Sequence, residues 1–326
     1  MAGTLRVVVA DLLADDLSVE TAALEPIGAE LVVSPSPDED ALVAAVADAD
    51  AVLVTYAKVS ARVIEAAPRC RIVARYGIGY DNVDVEAASR AGMFVTNVPD
   101  YCLEEVADHT LALLLGVARG VVAASARVRD GHWDGGTGDI HRLRGRRLAL
   151  AGVGGIGRRV ALRARAFGLD VVGYDPYLEE WNVEGAERAA SLEEAVAEAD
   201  FVSLHMPLTE ASRHIVNAEL IASMRRAPVL INTARGPLVD HDALAVALAE
   251  GAISGAALDV TEPEPLPSDH PLRRDPRAVI TAHMAFYSVE AGEELRRRAA
   301  EEVGRVLCGV APEHAINRDA IDAARA

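Results

Sequence analysis

The sequence predicts an α/β protein of two Rossmann-like domains, each built on a parallel sheet. Three observations carry that prediction. Short apolar runs alternate with Ala- and Leu-rich stretches of helical periodicity along the chain, the pattern of βαβ units. The 326 residues exceed what one ordinary core organises, so two domains are expected. Hydrophobic residues make up 51% of the chain but aromatics only 4%, so aliphatic side chains must fill the interior, as they do where helices cover a buried parallel sheet.

The first strands are expected at 5–10, 29–33, 51–54, 71–75 and 93–95, with helical stretches such as Asp38 to Ala47 between them. One long helix is expected over 101–127, after Pro99 and Asp100, and then a Gly-rich loop at 131–138. A second set of strands follows at 147–151, 170–174, 200–204, 228–232, 255–259 and 278–281. An amphipathic helix is expected over 288–308. This order inserts one domain into the other: residues 1–100 with 289–326 form the first, and 101–288 the second.

Charge and cysteine usage narrow the function. The formal net charge is −18, which disfavours nucleic acid and anionic membrane as partners. An anionic ligand therefore needs a local cationic site. Cys70, Cys102 and Cys308 are odd in number and far apart, with neither zinc spacing nor a disulfide framework, so no metal is expected and a reducing, cytoplasmic location is. The first residues run straight into a strand-like segment and lack the features of a signal peptide. The most apolar helical stretch, Leu111 to Ala126, is interrupted by Arg119 and too short for a membrane span.

Residues 152–157 fit G-x-G-x-x-G with Gly152, Gly154 and Gly157, in the right context. A strand, Leu148 to Ala151, leads in; a helix, Arg158 to Phe167, leads out, with Gly168 suited to end it; a second strand ends at Asp175. Gly152 permits the tight turn, Gly154 lets backbone approach a pyrophosphate, and Gly157 lets helix and strand pack closely. The helix N-terminus offers unpaired N–H groups to phosphate. Asp175 suits ribose hydroxyls and repels a 2′-phosphate, which favours NAD over NADP.

Ligands of open parallel sheets lie at the carboxyl ends of the strands. Arg235, Asp259, Glu264, His205 and His283 all follow expected strands there. Hydride transfer to a keto acid needs a cation for the carboxylate and carbonyl, which the planar fork of Arg235 suits. It needs a proton donor, for which histidine is the suited residue type and His283 the candidate, and a carboxylate such as Glu264 to orient that donor. Spacing alone leaves a surface arginine and a structural histidine as open alternatives. His205 reads as structural or cofactor-lining and His270 as structural. His109, His132, His141, His214, His241 and His314 read as surface or packing residues.

Six ordered segments resemble the D-isomer-specific 2-hydroxyacid dehydrogenase family. They are Arg75-Tyr-Gly-Ile-Gly-Tyr-Asp-Asn-Val-Asp84, the Gly-rich turn at 152–157, His205-Met-Pro-Leu-Thr209, Asn232-Thr-Ala-Arg-Gly236, Leu258-Asp-Val-Thr-Glu-Pro-Glu-Pro265 and Thr281-Ala-His-Met-Ala-Phe-Tyr-Ser288. The resemblance implies a flavodoxin-like substrate domain around an inserted NAD-binding Rossmann domain, and a homodimer. It implies catalysis by Arg235, Glu264 and His283. Cofactor contacts are implied for Thr110, Gly155, Ile156, Asp175, Thr233, Ala234, Arg235 and His283 to Phe286, with Asp259 beside the nicotinamide. Gly77, Ile78 and Gly79 match the loop that holds the substrate carboxylate, and Arg75 matches a further substrate contact.

Two departures bear on ligands. Gly155 stands where many members have arginine, which implies one phosphate contact fewer. Phe286 and Tyr287 resemble the aromatic pair of the corepressor branch, which places Phe286 at the substrate and implies an apolar or aromatic substrate side chain. The expected activity is NAD-dependent interconversion of a small 2-keto acid and its D-2-hydroxy acid. The alternatives are an NAD(H)-sensing, corepressor-like binding protein and a dehydrogenase of phosphite or another acid on the same fold.

Overall fold

The apolar runs become strands wherever β-branched and aliphatic residues cluster between turn signals. The computed structural model describes residues 4–134 and 138–325. In chain order its strands are β1 (Arg6–Val9), β2 (Glu30–Val33), β3 (Ala51–Val54), β4 (Ile72–Arg75), β5 (Phe94–Thr96), β6 (Arg147–Ala151), β7 (Asp170–Tyr174), β8 (Ala186–Arg188), β9 (Phe201–Leu204), β10 (Val229–Asn232), β11 (Gly255–Leu258) and β12 (Ala278–Ile280). Its helices are α1 (Ser18–Leu24), α2 (Glu39–Ala45), α3 (Ala61–Glu65), α4 (Val85–Arg90), α5 (Leu103–Ala118), α6 (Val121–Arg129), α7 (Gly155–Ala166), α8 (Leu192–Ala197), α9 (Ala218–Ser223), α10 (His241–Glu250), α11 (Val289–Leu307) and α12 (Arg318–Arg325). Of the expected Gly-rich loop, residues 135–137 lie outside the described residues. The chain divides into two units, one running to Tyr101 and resuming at Ser288, the other spanning Cys102–Tyr287.

The first unit is a five-stranded parallel sheet in the order β2-β1-β3-β4-β5. This is the flavodoxin-like order, with its switch between β1 and β3. Val7 to Val9, Ala51 to Val54 and Ile72 to Ala74 are all buried, as a sheet covered on both faces requires. Helix starts are set by local chemistry: Ser60 and Asp84 accept from the N–H of Val63 and Ala87, and Ser288 caps α11 through Ala291. α11 turns Leu295, Ala299, Val303 and Leu307 inward, the spacing of one helical face.

Two charged residues of α11, Arg296 and Glu302, are buried with it. Arg296 donates from Nε to Glu20 Oε1 at 2.8 Å and from Nη2 to Glu20 Oε2 at 2.6 Å. The Tyr76 hydroxyl donates to Glu20 Oε1 at 3.0 Å. Glu20 on α1, Arg296 on α11 and Tyr76 after β4 are all buried, so the carboxylate joins three elements of the unit. The cysteines are free; Cys70 and Cys102 are buried, and burial pushes the Cys70 thiol up to about 12.

The second unit is a seven-stranded parallel sheet in the order β12-β11-β10-β9-β6-β7-β8. Its order reverses between β6 and β9, the place where doubly wound sheets bind dinucleotides. α5 packs on β10, β11 and α7 through a face that includes Ala107, Leu111 and Leu114. The expected single helix over 101–127 is two helices. Gly120 takes a left-handed φ of 60°, which ends one helix and starts the next, and the two meet at 62°. No residue of α6 is buried, and Val121, Val122 and Val128 are exposed, as is Trp133 beyond it. Two elements were not expected. β8 is a three-residue edge strand with two charged residues, and α12 is short and polar, so neither carries an apolar run. No single helix among the described residues is long and apolar enough to cross a membrane.

Removing one partner of a buried ion pair leaves the other charge uncompensated. Glu20→Ala should therefore cost about 3–5 kcal/mol in urea unfolding. A midpoint and slope equal to the parent's would show that the pair contributes nothing.

Candidate functional site

The Gly-rich turn joins β6 to α7. Gly152 takes φ 94°, and a Cβ there would lie 2.6 Å from the carbonyl oxygen of His205. A Cβ on Gly157 would lie 2.4 Å from the Gly152 oxygen. Both positions exclude side chains because backbone meets backbone. A Cβ on Gly154 would meet nothing within 4 Å, so this glycine leaves an open cradle. Gly154 caps α7, which begins at Gly155, three residues before the expected Arg158. The glycines after the cap already take helical geometry, and the N–H groups of the first turn point outward from the helix start.

Asp175 follows β7 beside that turn. Its Oδ2 accepts from the N–H of Val153 at 3.0 Å and its Oδ1 from that of Tyr177 at 3.0 Å. Each oxygen keeps further acceptor capacity for a ribose hydroxyl. Open backbone at Gly154, a helix N-terminus and this pinned carboxylate fit a dinucleotide. Gly155 sits against Leu103: a Cβ there would lie 3.2 Å from a Leu103 methyl, so a larger residue would displace that side chain. Ile156 packs partly buried against the core behind the turn.

On the other half of the sheet, one buried carboxylate shapes the turn after β12. Asp259 follows β11 and is 2% exposed. Its Oδ1 accepts from Thr281 Oγ1 at 2.5 Å and from the N–H of Met284 at 3.0 Å. Its Oδ2 accepts from the N–H of Ala285 at 2.8 Å. The N–H of His283 donates to the Asp259 carbonyl at 2.8 Å. These bonds hold His283 at φ 51°, a left-handed conformation that costs a non-glycine residue about 1–3 kcal/mol. So held, His283 meets Glu264: Nδ1 and Oε2 are 2.8 Å apart. Glu264 is oriented in turn, because its Oε1 accepts from the N–H of Thr261 at 3.0 Å. The ring of Phe286 stands edge-on to His283 at 6.3 Å, and Tyr287 stands edge-on to Phe286 at 6.5 Å.

Arg235 arrives from β10 through a side-chain clasp. Asn232, fully buried, accepts from the N–H of Ala234 at 3.0 Å and donates to the Arg235 carbonyl at 2.8 Å. The Arg235 Nη1 donates to the Ala234 carbonyl at 2.8 Å, and the residue is half-buried. Gly236 then lies on the segment that carries Glu264. A Cβ at Gly236 would fall 1.9 Å from the Thr261 oxygen. The close approach thus joins the Arg235 turn to the Glu264 loop. Thr110 on α5 and Thr233 meet through their hydroxyls at 2.9 Å, both buried.

The remaining residues of interest divide among several places. His205 is half-buried, and its Nε2 pairs with the Oγ of Ser203 at 2.9 Å. Burial pushes its imidazole down to about 4. His109 was expected to be a surface or packing residue. It is half-buried on α5 and makes specific polar contacts besides, its Nε2 lying 3.1 Å from Thr281 Oγ1 and 3.6 Å from Asp259 Oδ1. His214 was read likewise, yet it pairs with Glu262 at 3.0 Å and takes φ 50°. Asn232 and Thr281 were legible only as parts of motifs, not as the groups that hold Arg235 and His283. In the first unit, Arg75 ends β4, and its guanidinium lies over Gly77 where a Cβ would be. The Asn97 Nδ2 donates to the Ile78 carbonyl at 2.7 Å, and the N–H of Val98 to the Gly77 carbonyl at 3.0 Å, which shapes the run into Gly79. Among the described residues, Glu302, Glu313 and His314 bring possible metal ligands together. The Glu302 carboxylate there already takes the N–H groups of Glu313 and His314.

Comparison with known proteins gives a consistent result. Residues 111–285 match the family described as D-isomer specific 2-hydroxyacid dehydrogenase, NAD binding domain. A glyoxylate reductase of Korarchaeum cryptofilum is 39% identical over 291 residues, 87% of this chain and 88% of that protein. A D-3-phosphoglycerate dehydrogenase of Methanocaldococcus jannaschii is 39% identical over 297 residues, which is 90% of this chain but 56% of that protein. This chain thus spans about half the length of that relative. The D-lactate dehydrogenase of Aquifex aeolicus, solved with NAD and lactic acid, superposes with a TM-score of 0.84 at 28% identity, covering 93% of this chain and 96% of that one.

The buried imidazole of His205 generates a pH prediction. Its folded-state pKa of about 4 lies below the ordinary 6.5, so the unfolded chain binds the proton that the folded chain refuses. The contribution is whole above the unfolded value and is lost as pH falls through the folded one. Thermal melting should show His205→Gln losing less stability than the parent between neutral pH and pH of about 4. Parallel melting curves for the two proteins would contradict the burial argument.

Proposed function

This chain belongs to the D-isomer-specific 2-hydroxyacid dehydrogenase family, and from that premise we propose that it interconverts a small 2-keto acid and its D-2-hydroxy acid with NAD. The observation that carries the reading is the His283–Glu264 pair, 2.8 Å apart on a backbone turn of left-handed conformation, on the sheet that bears the Gly-rich turn. The dinucleotide, when bound, supplies or accepts the hydride. Gly152, Gly154, Gly155, Ile156 and Gly157 would cradle its phosphates and Asp175 its ribose. Thr110, His205, Thr233, Ala234 and Asp259 would line the rest of its path.

Arg235 binds the substrate carboxylate with its planar fork and draws electron density from the carbonyl oxygen. With Nδ1 engaged by Glu264, His283 delivers a proton from Nε2 to that oxygen in reduction and takes one from the hydroxyl in oxidation. Glu264 holds the ring's orientation and stabilises the imidazolium. The turn at Gly77, Ile78 and Gly79, with Arg75, is assigned to substrate binding. Phe286, edge-on to His283, favours an apolar or aromatic substrate side chain. Asp175 favours NAD over NADP. The protein is assigned to the cytoplasm and to a homodimer in which a second copy covers the exposed Val121, Val122, Val128 and Trp133.

A spectrophotometric screen with NADH should show turnover of 2-keto acids, with phenylpyruvate at least matching hydroxypyruvate and pyruvate. Oxidation of NADH by none of them would sink the enzymatic reading, and strict preference for hydroxypyruvate would sink the assignment of Phe286. His283→Asn should lower kcat by about 10²–10⁴-fold while KM changes little. Arg235→Ala should raise KM as well as lower kcat, because it removes carboxylate binding. Sedimentation should give a dimer that Trp133→Arg weakens; a monomeric parent would refute the assigned assembly.

A further inference from the structure

His109 lies outside every motif used above, yet it completes the network around Asp259. The Thr281 hydroxyl has one hydrogen, and Asp259 Oδ1, 2.5 Å away, can only accept it. The same hydroxyl oxygen lies 3.1 Å from His109 Nε2 and must therefore accept there. The proton of a neutral His109 thus sits on Nε2. The result is a directed chain from the imidazole N–H to the hydroxyl to the carboxylate, with Nε2 itself 3.6 Å from Oδ1. His109 is on α5, and α5 packs on β10 and β11, so the ring reaches the carboxylate from the neighbouring layer.

The topology puts this chain near one end of the dinucleotide. The Gly-rich turn and Asp175 follow β6 and β7, and the order reverses between β6 and β9. A dinucleotide whose adenosine half lies over β6 and β7 extends its nicotinamide half over β9, β10 and β11. Asp259 ends β11. The oxidised nicotinamide ring is a cation and the reduced ring is neutral. A negative group near the ring therefore favours the oxidised form, by an amount that depends on how fully its charge is compensated.

We propose that His109 is a positioning residue that sets the charge Asp259 presents to the nicotinamide, and so sets the relative affinity for NAD+ and NADH. The inference rests on the dehydrogenase reading above. By donating through Thr281, His109 compensates the carboxylate and lowers its preference for the oxidised ring. Removing that donor leaves a barer carboxylate and shifts binding toward NAD+. The ratio of the two dissociation constants is the informative quantity, since general loosening of the site weakens both nucleotides and cancels.

The test is isothermal titration of NAD+ and NADH, without substrate, into the parent protein, His109→Leu, His109→Gln and Thr281→Val. The Gln amide nitrogen can replace the imidazole Nε2 as donor. His109→Leu should raise the ratio Kd(NADH)/Kd(NAD+) by roughly fivefold, a change of about 1 kcal/mol in charge interaction. Thr281→Val should shift it the same way, and His109→Gln should stay near the parent. A ratio within about twofold of the parent in both His109→Leu and Thr281→Val would overturn the proposal. So would an equal shift in His109→Gln and His109→Leu. Should His109→Leu fail to fold, Thr281→Val decides alone. A parent protein that binds neither nucleotide would overturn the functional reading, an outcome distinct from an unchanged ratio.

Discussion

The geometry at the end of the second sheet depends on the buried carboxylate of Asp259. It accepts from one hydroxyl and two consecutive backbone N–H groups, those of Met284 and Ala285. A chain leaving β12 does not ordinarily enter the left-handed region at a histidine, because the Cβ crowds the backbone there. Charge-assisted hydrogen bonds to the two following N–H groups offset that cost and leave a single arrangement. In water the same carboxylate would gain little from those donors. Burial is what makes the turn rigid, and also why the carboxylate needs every donor it has.

Rigid placement on this side of the sheet has a counterpart in absent side chains. Gly152 and Gly157 let the start of α7 approach β6 and the carbonyl of His205, while Gly236 lets the Arg235 turn lie on the Thr261 carbonyl. In each case the nearest atoms are backbone, which has no rotamer to move aside. Asn232 does by hydrogen bonding what those glycines do by size: it closes the turn that carries Ala234 and Arg235. The turns that carry Arg235, Glu264 and His283, the residues proposed to act on substrate, are thus held by neighbouring groups. This is the arrangement a reaction needs when its reacting atoms must stay within a few tenths of an ångström of alignment.

Much of this is legible in the sequence. Periodicity and turn residues located eleven of the twelve strands to within a residue or two, because a strand of a covered parallel sheet must be apolar throughout. β8 escaped because an edge strand reading Ala-Glu-Arg has no such requirement. The break at Gly120 escaped because apolar residues continue on both sides of it, so composition does not register one left-handed backbone angle. His109 escaped for another reason. A lone histidine in an apolar helix carries no pattern, and its meaning lies in Thr281, 172 residues further on.

The sequence by itself determined the α/β class, the parallel alternation, the dinucleotide turn and the residue types available at the strand ends. Each of these follows from local rules: side-chain periodicity, glycine's backbone freedom, and the fixed relation of a helix start to the strand before it. Tertiary structure decided which of those polar residues meet: that Glu264, expected to orient the proton donor, lies 2.8 Å from His283, and that His109 joins Asp259. Those pairings join separate elements, brought together by strand order and by the packing of α5 on the sheet, quantities set by the whole unit and not by any window of the chain.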